Sequence, residues 1–167
     1  LSSINGEQNE KSKLYINYCE VAIVLRIVEL LLECGVSGSS IGIIAPYRDQ
    51  VDALKKIFAI HHAVEVNTVD QYQGRDKKII IYSCTLSGES TKISEVEILE
   101  DRRRLTVAIT RAKHKLIMVG DVNCLNKYTP FRDLVKNMNA MSKVQIKDET
   151  LGFSWEMILR HVSEKLK

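Results

Sequence analysis

Short, mainly apolar runs alternate with longer amphipathic stretches along this chain, and that alternation limits its fold more than any other feature. Residues 41–45 (IGIIA) form one such run, halted by Pro46; residues 78–84 form a second; residues 115–120 form a third, closed by Gly120 and Asp121. Runs of this length bounded by turn residues read as buried strands. The stretches between them carry helical spacing. Residues 20–34 show one stripe of Val21, Val24, Val28, Leu31 and Leu32 and a second of Ile23, Ile27 and Leu30. With so little polar face, that helix has to pack on both sides or against a broad sheet, and Gly35 is placed to close it. Residues 49–59 point Val51, Leu54, Ile57 and Phe58 inward, and residues 129–138 do the same with Phe131, Leu134, Val135 and Met138. A short strand is expected at 63–66, a turn-rich loop at 67–76, an exposed polar loop at 87–97 and an edge strand at 143–146. Strand-length runs separated by helices predict an α/β domain with a mostly parallel sheet.

The chain divides into a loose leading segment (1–15), one domain (16–150) and a terminal helix (151–167). Ser154 is the expected cap of that helix, whose stripe of Trp155, Ile158, Leu159, Val162 and Leu166 docks on the core or on a partner. The 167 residues suit one domain with a full core, and 45% hydrophobic with 27% charged is a globular balance. Net charge is only +3, so any attraction for a polyanion has to be local. The four cysteines stand far apart without a C-x-x-C pair, which argues against zinc or an iron–sulfur cluster and for buried thiols in a reducing compartment. The 21–32 apolar run is short and interrupted by Arg26 and Glu29, so no membrane span is expected. The chain begins at Leu1, as a piece of something longer would, and shows no signal-peptide pattern there.

Parallel sheets place function at the carboxyl ends of their strands. Three segments are expected there, and all are rich in polar residues. In residues 101–121 (DRRRLTVAITRAKHKLIMVGD), Leu105, Ala108, Ile109 and Ala112 form an apolar helix face, while Arg104 and Arg111, two turns apart, share another. Such a helix aims fixed positive charge at phosphate oxygens; it equally describes a solvated basic face. In residues 46–50 (PYRDQ), a helix N-terminus suits a phosphate and Tyr47 either stacks on a base or packs inward. In residues 67–76 (NTVDQYQGRD), Gly74 permits a positive φ, Thr68 and Gln71 are candidates for a sugar–phosphate backbone, and Gln73 and Asp76 for a nucleotide. No G-x-x-x-x-G-K-[ST] loop and no magnesium-holding acidic pair occurs in the sequence. If Arg111 acts on a phosphate, another domain must hold that phosphate.

Taken together, IGIIAPYRDQ, VNTVDQYQGRDKKIIIYSC and DRRRLTVAITRAKHKLIMVGD resemble, in order and spacing, the last motifs of superfamily 1 helicases. The subgroup resembled includes the nonsense-decay RNA helicases and, nearer still, the replication helicase/nucleases. Asn17 and Glu20 match the family's Asn-x-x-Glu, and the likeness covers roughly residues 16 to 139. It implies the second RecA-like motor domain, a three-layer fold. The first motor domain of the same chain would hold most of the ATP and Mg2+. On this resemblance Arg111 is the arginine finger, and Arg104 supports the phosphate side or the domain interface. Gln73, Gly74 and Asp76 face the nucleotide, Asp76 being one methylene shorter than the family's usual Glu. Pro46, Tyr47, Thr68 and Asp70, joined by Gln71, line a single-strand track. The resemblance further implies 5′-to-3′ movement on single-stranded DNA rather than RNA, and a place in the nucleus, with the mitochondrion as a second candidate. Thr106 stands where the family usually has Asn, and residues 87–97 lack the family's glycines. Two other classes remain: a RecA-like binding module without an ATPase role, and a free-standing nucleotide-binding domain of flavodoxin or receiver type. The Arg104/Arg111 pair beside Asp76 is something a pure binding module would not need, and the absence of an acidic pocket after the first strand and of a Gly-rich loop counts against the free-standing domain.

Overall fold

The structure, a computed structural model, describes residues 15–72, 74–86, 93–139 and 143–144, with the side chains of 93–95 left out. Its frame is a four-stranded sheet: β1 (Ile41–Ala45), β2 (Glu65–Thr68), β3 (Lys77–Ser83) and β4 (Ala112–Val119). The spatial order is β2-β1-β3-β4, and all three pairings are parallel. Helices α1 (Tyr18–Glu33) and α2 (Arg48–Ile57) cover one face. The other face carries α3 (Ile93–Glu100), α4 (Arg102–Ile109), α5 (Val122–Leu125) and α6 (Thr129–Asn137). This is the expected three-layer α/β architecture.

Strand alternation divides the core in two. Ile41, Ile43, Ala45 and Ile81 pack with Val21, Val24 and Val28 of α1 and Val51 and Leu54 of α2. Ile44, Ile80 and Tyr82 pack with Leu99, Leu105, Ala108 and Phe131 on the opposite side. Every residue of β1 is buried, as its unbroken apolar run required. The elements begin and end where local chemistry directs. Asn17 accepts from Glu20 N at 3.0 Å to cap α1, and the helix closes at Gly35 with Val36 N bonding Leu31 O at 2.9 Å. Asp101 accepts from Arg103 N and Arg104 N to cap α4, and Asp121 does the same for α5.

Several expectations change. The strand expected at 63–66 lies two residues later, at Glu65–Thr68. Of the two packings expected for α1, the broad sheet is the one formed: Ile23 and Ile27 are partly buried, but Leu30 is 43% exposed. The end of the expected 87–97 loop, from Ile93 on, is α3, because Val96 and Leu99, three apart, turn onto the core and Leu99 is fully buried, while residues 87–92 lie outside the described residues. Only Cys84 and Cys124 are buried thiols; Cys19 and Cys34 are exposed. Tyr15, placed in the loose segment, stacks on Tyr47 with ring centroids 5.1 Å apart. No strand is formed at 143–144, and the terminal helix lies outside the described residues. Among the described residues no helix is long and apolar enough to cross a membrane.

Candidate functional site

A parallel sheet forces each connection to return along the full strand before the next strand can start. That requirement splits the predicted site. The crossover after β2 leaves the carboxyl edge at Val69 and Asp70, makes a short 3-10 turn over Asp70–Tyr72, and reaches the amino edge at Arg75 and Asp76. Tyr72 lies under it against β1; a Cβ on Gly42 would sit 2.1 Å from the Tyr72 hydroxyl, so only glycine admits the ring there. Gly74, with φ +76°, turns the crossover into β3. Helix α4 makes the same journey beside it. Three segments were expected at the carboxyl edge, yet Gly74, Asp76 and Arg111 stand at the opposite one. A seven-residue strand puts those edges roughly 20 Å apart.

The two arginines reach this crossover at its two ends. Arg104, in the first turns of α4, lies 3.2 Å from Asp70 and 3.6 Å from Asp101. Arg111 does not share its helix face, because α4 ends at Ile109 and Thr110 caps it. Instead Arg111 sits in the link to β4. Its backbone carbonyl accepts from Lys77 N at 3.0 Å. The pairing of β3 with β4 then slips, the three residues Lys77–Ile79 facing the four residues Ala112–Lys115. Bulges of this kind re-aim side chains beside functional sites.

The Arg111 guanidinium is held from three directions. Nη1 lies 3.1 Å from Asp76 Oδ1, Nε donates to Val107 O at 3.2 Å, and Nη2 donates to Thr110 Oγ1 at 3.4 Å. Val107 O belongs to the last turn of α4, where carbonyls lack helical partners and a cation is favoured. Beside this group, Glu65 accepts from Arg75 and lies 3.1 Å from Lys77 Nζ, which also donates to Ser39 O at 3.1 Å. Partial burial pushes the Glu65 carboxyl up, but the hydrogen bonds from Arg75 and Lys77 outweigh it and hold the group below the usual carboxylate range. Glu65, Arg75 and Lys77 carried no role in the sequence reading. Their signal was absent, because their partners are distant in the chain.

At the carboxyl edge, Pro46 and Thr68 are half-buried, and Asp70 and Gln71 are exposed. Tyr47 differs from its base-stacking expectation. It is 5% exposed in the core, with Tyr15 stacked on it. Gln73 lies outside the described residues. Behind this edge runs a buried polar network. Glu20 Oε2 accepts from Ser83 Oγ at 2.6 Å and from Thr85 N at 2.8 Å. Gln50 Nε2 donates to Ser83 Oγ at 2.9 Å, and its Oε1 accepts from Asn17 N at 2.8 Å. Burial raises the Glu20 carboxyl to about 7; the Ser83 and Thr85 hydrogen bonds oppose this, and the negative Asp121 adds to it. Thr85 has φ 74°, costly for a β-branched residue, and its N–H is the one Glu20 holds. Thr106, in the position of the family's Asn, spends its hydroxyl on Arg102 O at 2.8 Å.

A family model described as AAA domain matches residues 2–123. The DNA replication ATP-dependent helicase/nuclease DNA2 of Bos taurus is 45% identical over 136 residues, which are 80% of this chain and 12% of that protein. The protein of the same name from Homo sapiens is 44% identical over 135 residues, again 80% of this chain and 12% of its own length. Helicase SEN1 of Saccharomyces cerevisiae is 37% identical over 142 residues, 78% of this chain and 6% of that protein. The chain thus spans about an eighth of the length of the helicase/nucleases it matches.

Proposed function

The chain belongs to the AAA domain family, with a superfamily 1 helicase-like character, and from that membership we propose that it is the second RecA-like motor domain of an ATP-dependent single-strand DNA translocase or helicase. The relatives named for DNA replication support a helicase/nuclease at work in replication; the proposal extends to repair, to the nucleus and to 5′-to-3′ movement, which the motif resemblance alone implies. The observation that carries the reading is Arg111 at the amino edge. A guanidinium anchored by a helix carbonyl and a neighbouring hydroxyl is aimed before any ligand arrives, as electrostatic stabilisation of a transferring phosphoryl group requires. Its two hydrogen bonds use one N–H on Nε and one on Nη2, and three of its five N–H groups remain for Asp76 and for phosphate oxygens.

This chain fits ATP and Mg2+ on one side only. Arg111 meets charge on the phosphates, Gly74 and Asp76 face the nucleotide along with Gln73, and the phosphate loop and magnesium ligands come from the first motor domain. When bound, the nucleotide with its metal supplies the phosphoryl group to be cleaved. Arg104, tied to Asp70 and Asp101, is some distance from Arg111 and serves the carboxyl edge rather than the phosphates. There Pro46, Thr68, Asp70 and Gln71 form half of the nucleic-acid track. Tyr47 supports that track from beneath rather than stacking on a base, because its ring is buried.

The isolated 167-residue chain tests this division. It should bind single-stranded DNA weakly, without sequence preference, and less as salt rises, since backbone contacts release counterions. It should not turn over ATP. Turnover by the purified chain, with contaminating ATPases excluded, would defeat the half-motor reading.

A further inference from the structure

We propose that Thr110 is a positioning residue for Arg111: its hydroxyl, locked onto the last turn of α4, sets the orientation of the guanidinium. The inference rests on the motor reading above and deepens it. Thr110 Oγ1 lies 2.9 Å from Thr106 O and 3.1 Å from Val107 O, so its proton is committed to one of these carbonyls. A hydroxyl that donates its one proton turns its lone pairs outward as acceptors. Arg111 Nη2 donates to that oxygen, while Nε donates to Val107 O. The carbonyl and the hydroxyl belong to one rigid helix end, and together they fix two points of a planar group. Two points determine its direction in the plane, which Val107 alone would leave free to pivot. Asp76 touches Nη1 on the far side and is 42% exposed, so it neutralises the group more than it orients it. A threonine folded back on its own helix is ordinary. The Arg111 contact is what separates this one, and it places no part of Thr110 against substrate.

The test uses the complete protein that carries this chain, with Thr110→Val, Thr110→Ser and Arg111→Ala compared side by side. Valine keeps the branched shape and removes the acceptor; serine keeps the acceptor. Thr110→Val should lower kcat for DNA-stimulated ATP turnover about tenfold, with KM for ATP and single-strand affinity unchanged. Thr110→Ser should stay within about twofold of the parent. A misaimed finger costs transition-state stabilisation alone, hence the split between kcat and KM. If Arg111→Ala abolishes turnover but Thr110→Val has no effect, or serine falls as far as valine, the inference is overturned and the motor reading stands. If Thr110→Val loses DNA binding along with turnover, the hydroxyl merely holds the fold and the inference is again overturned. If Arg111→Ala keeps its turnover, the motor reading fails and takes this inference with it.

Discussion

The two edges of the sheet hold similar chemical groups under opposite conditions. At the carboxyl edge, Glu20 is 4% exposed and has hydroxyl and amide donors rather than a cation for partners. At the amino edge, Glu65 and Asp76 stand in partial solvent, each beside a basic side chain. Burying a polar group is costly unless every atom is satisfied, so the Glu20 network has to be built to close tolerance, and it ties α1, α2 and the end of β3 into one arrangement. Ion pairs at a surface contribute about 0–1 kcal/mol. A pair such as Arg111–Asp76 is therefore cheap to break and remake, and its members can be given to a ligand without loosening the fold. The difference teaches that the buried edge sets architecture, while the exposed edge is free to change partners.

The largest expected effect tests the exposed edge. In the complete motor, Arg111→Ala should lower ATP turnover by about a thousandfold, the scale of arginine fingers generally. The fold and single-strand affinity should be preserved, as steady-state turnover and fluorescence anisotropy would report. Arg111→Lys should not restore turnover, since a point charge cannot reproduce a two-pronged contact. Near-normal turnover with lost DNA binding would exchange the roles assigned to the two edges.

A smaller effect tests the buried edge. The folded state holds the Glu20 carboxyl near 7 against a usual 4.5, so folding favours its protonated form. That contribution is complete below about 4.5 and is lost as pH rises through about 7. Over such a span the loss is on the order of 3 kcal/mol. Glu20→Gln should therefore gain on the parent in denaturant unfolding as pH rises from about 5 to 8. A stability difference that stays flat with pH would mean that Ser83 and Thr85 keep the carboxylate ionised throughout.

The smallest effect separates the edges by ligand. Replacing Thr68 and Gln71 together by alanine removes two neutral contacts from the carboxyl edge, each hydrogen bond being worth about 1 kcal/mol. Affinity for single-stranded DNA should fall about thirtyfold, and DNA-independent ATP turnover should hold. A drop in that basal turnover with affinity intact would show that the track lies elsewhere.

Much of this was legible in the residues. Ile41–Ala45 had to be a strand buried on both faces because no polar residue interrupts it. Gly35 marks a helix end in the sequence, and the caps that the structure adds at Asn17 and Asp101 obey the same local chemistry, a hydrogen-bond problem that a few consecutive residues solve. The motifs pointed to Arg111 and Asp76 together, and they lie 3.1 Å apart. Other features were hidden. Helix α3 was read as loop because its acidic residues obscured Val96 and Leu99, whose apolar contacts come from distant segments. Tyr47 was offered to a base because its sequence neighbours are polar, whereas Tyr15 and the core beneath it decide its burial. Glu20 stands in the sequence only as the acid of an Asn-x-x-Glu match, and the end of β3 makes it a buried acid.

By itself, then, the sequence determined which segments are strands and helices, how they begin and end, and which charged residues are candidates for chemistry. These depend on periodicity and on contacts within a few residues. The tertiary structure alone decided which edge of the sheet each candidate occupies. Arg104 and Arg111 look in the sequence like one face of one helix, yet one stands at each edge, because a parallel crossover must run the whole length of a strand before the chain can turn again.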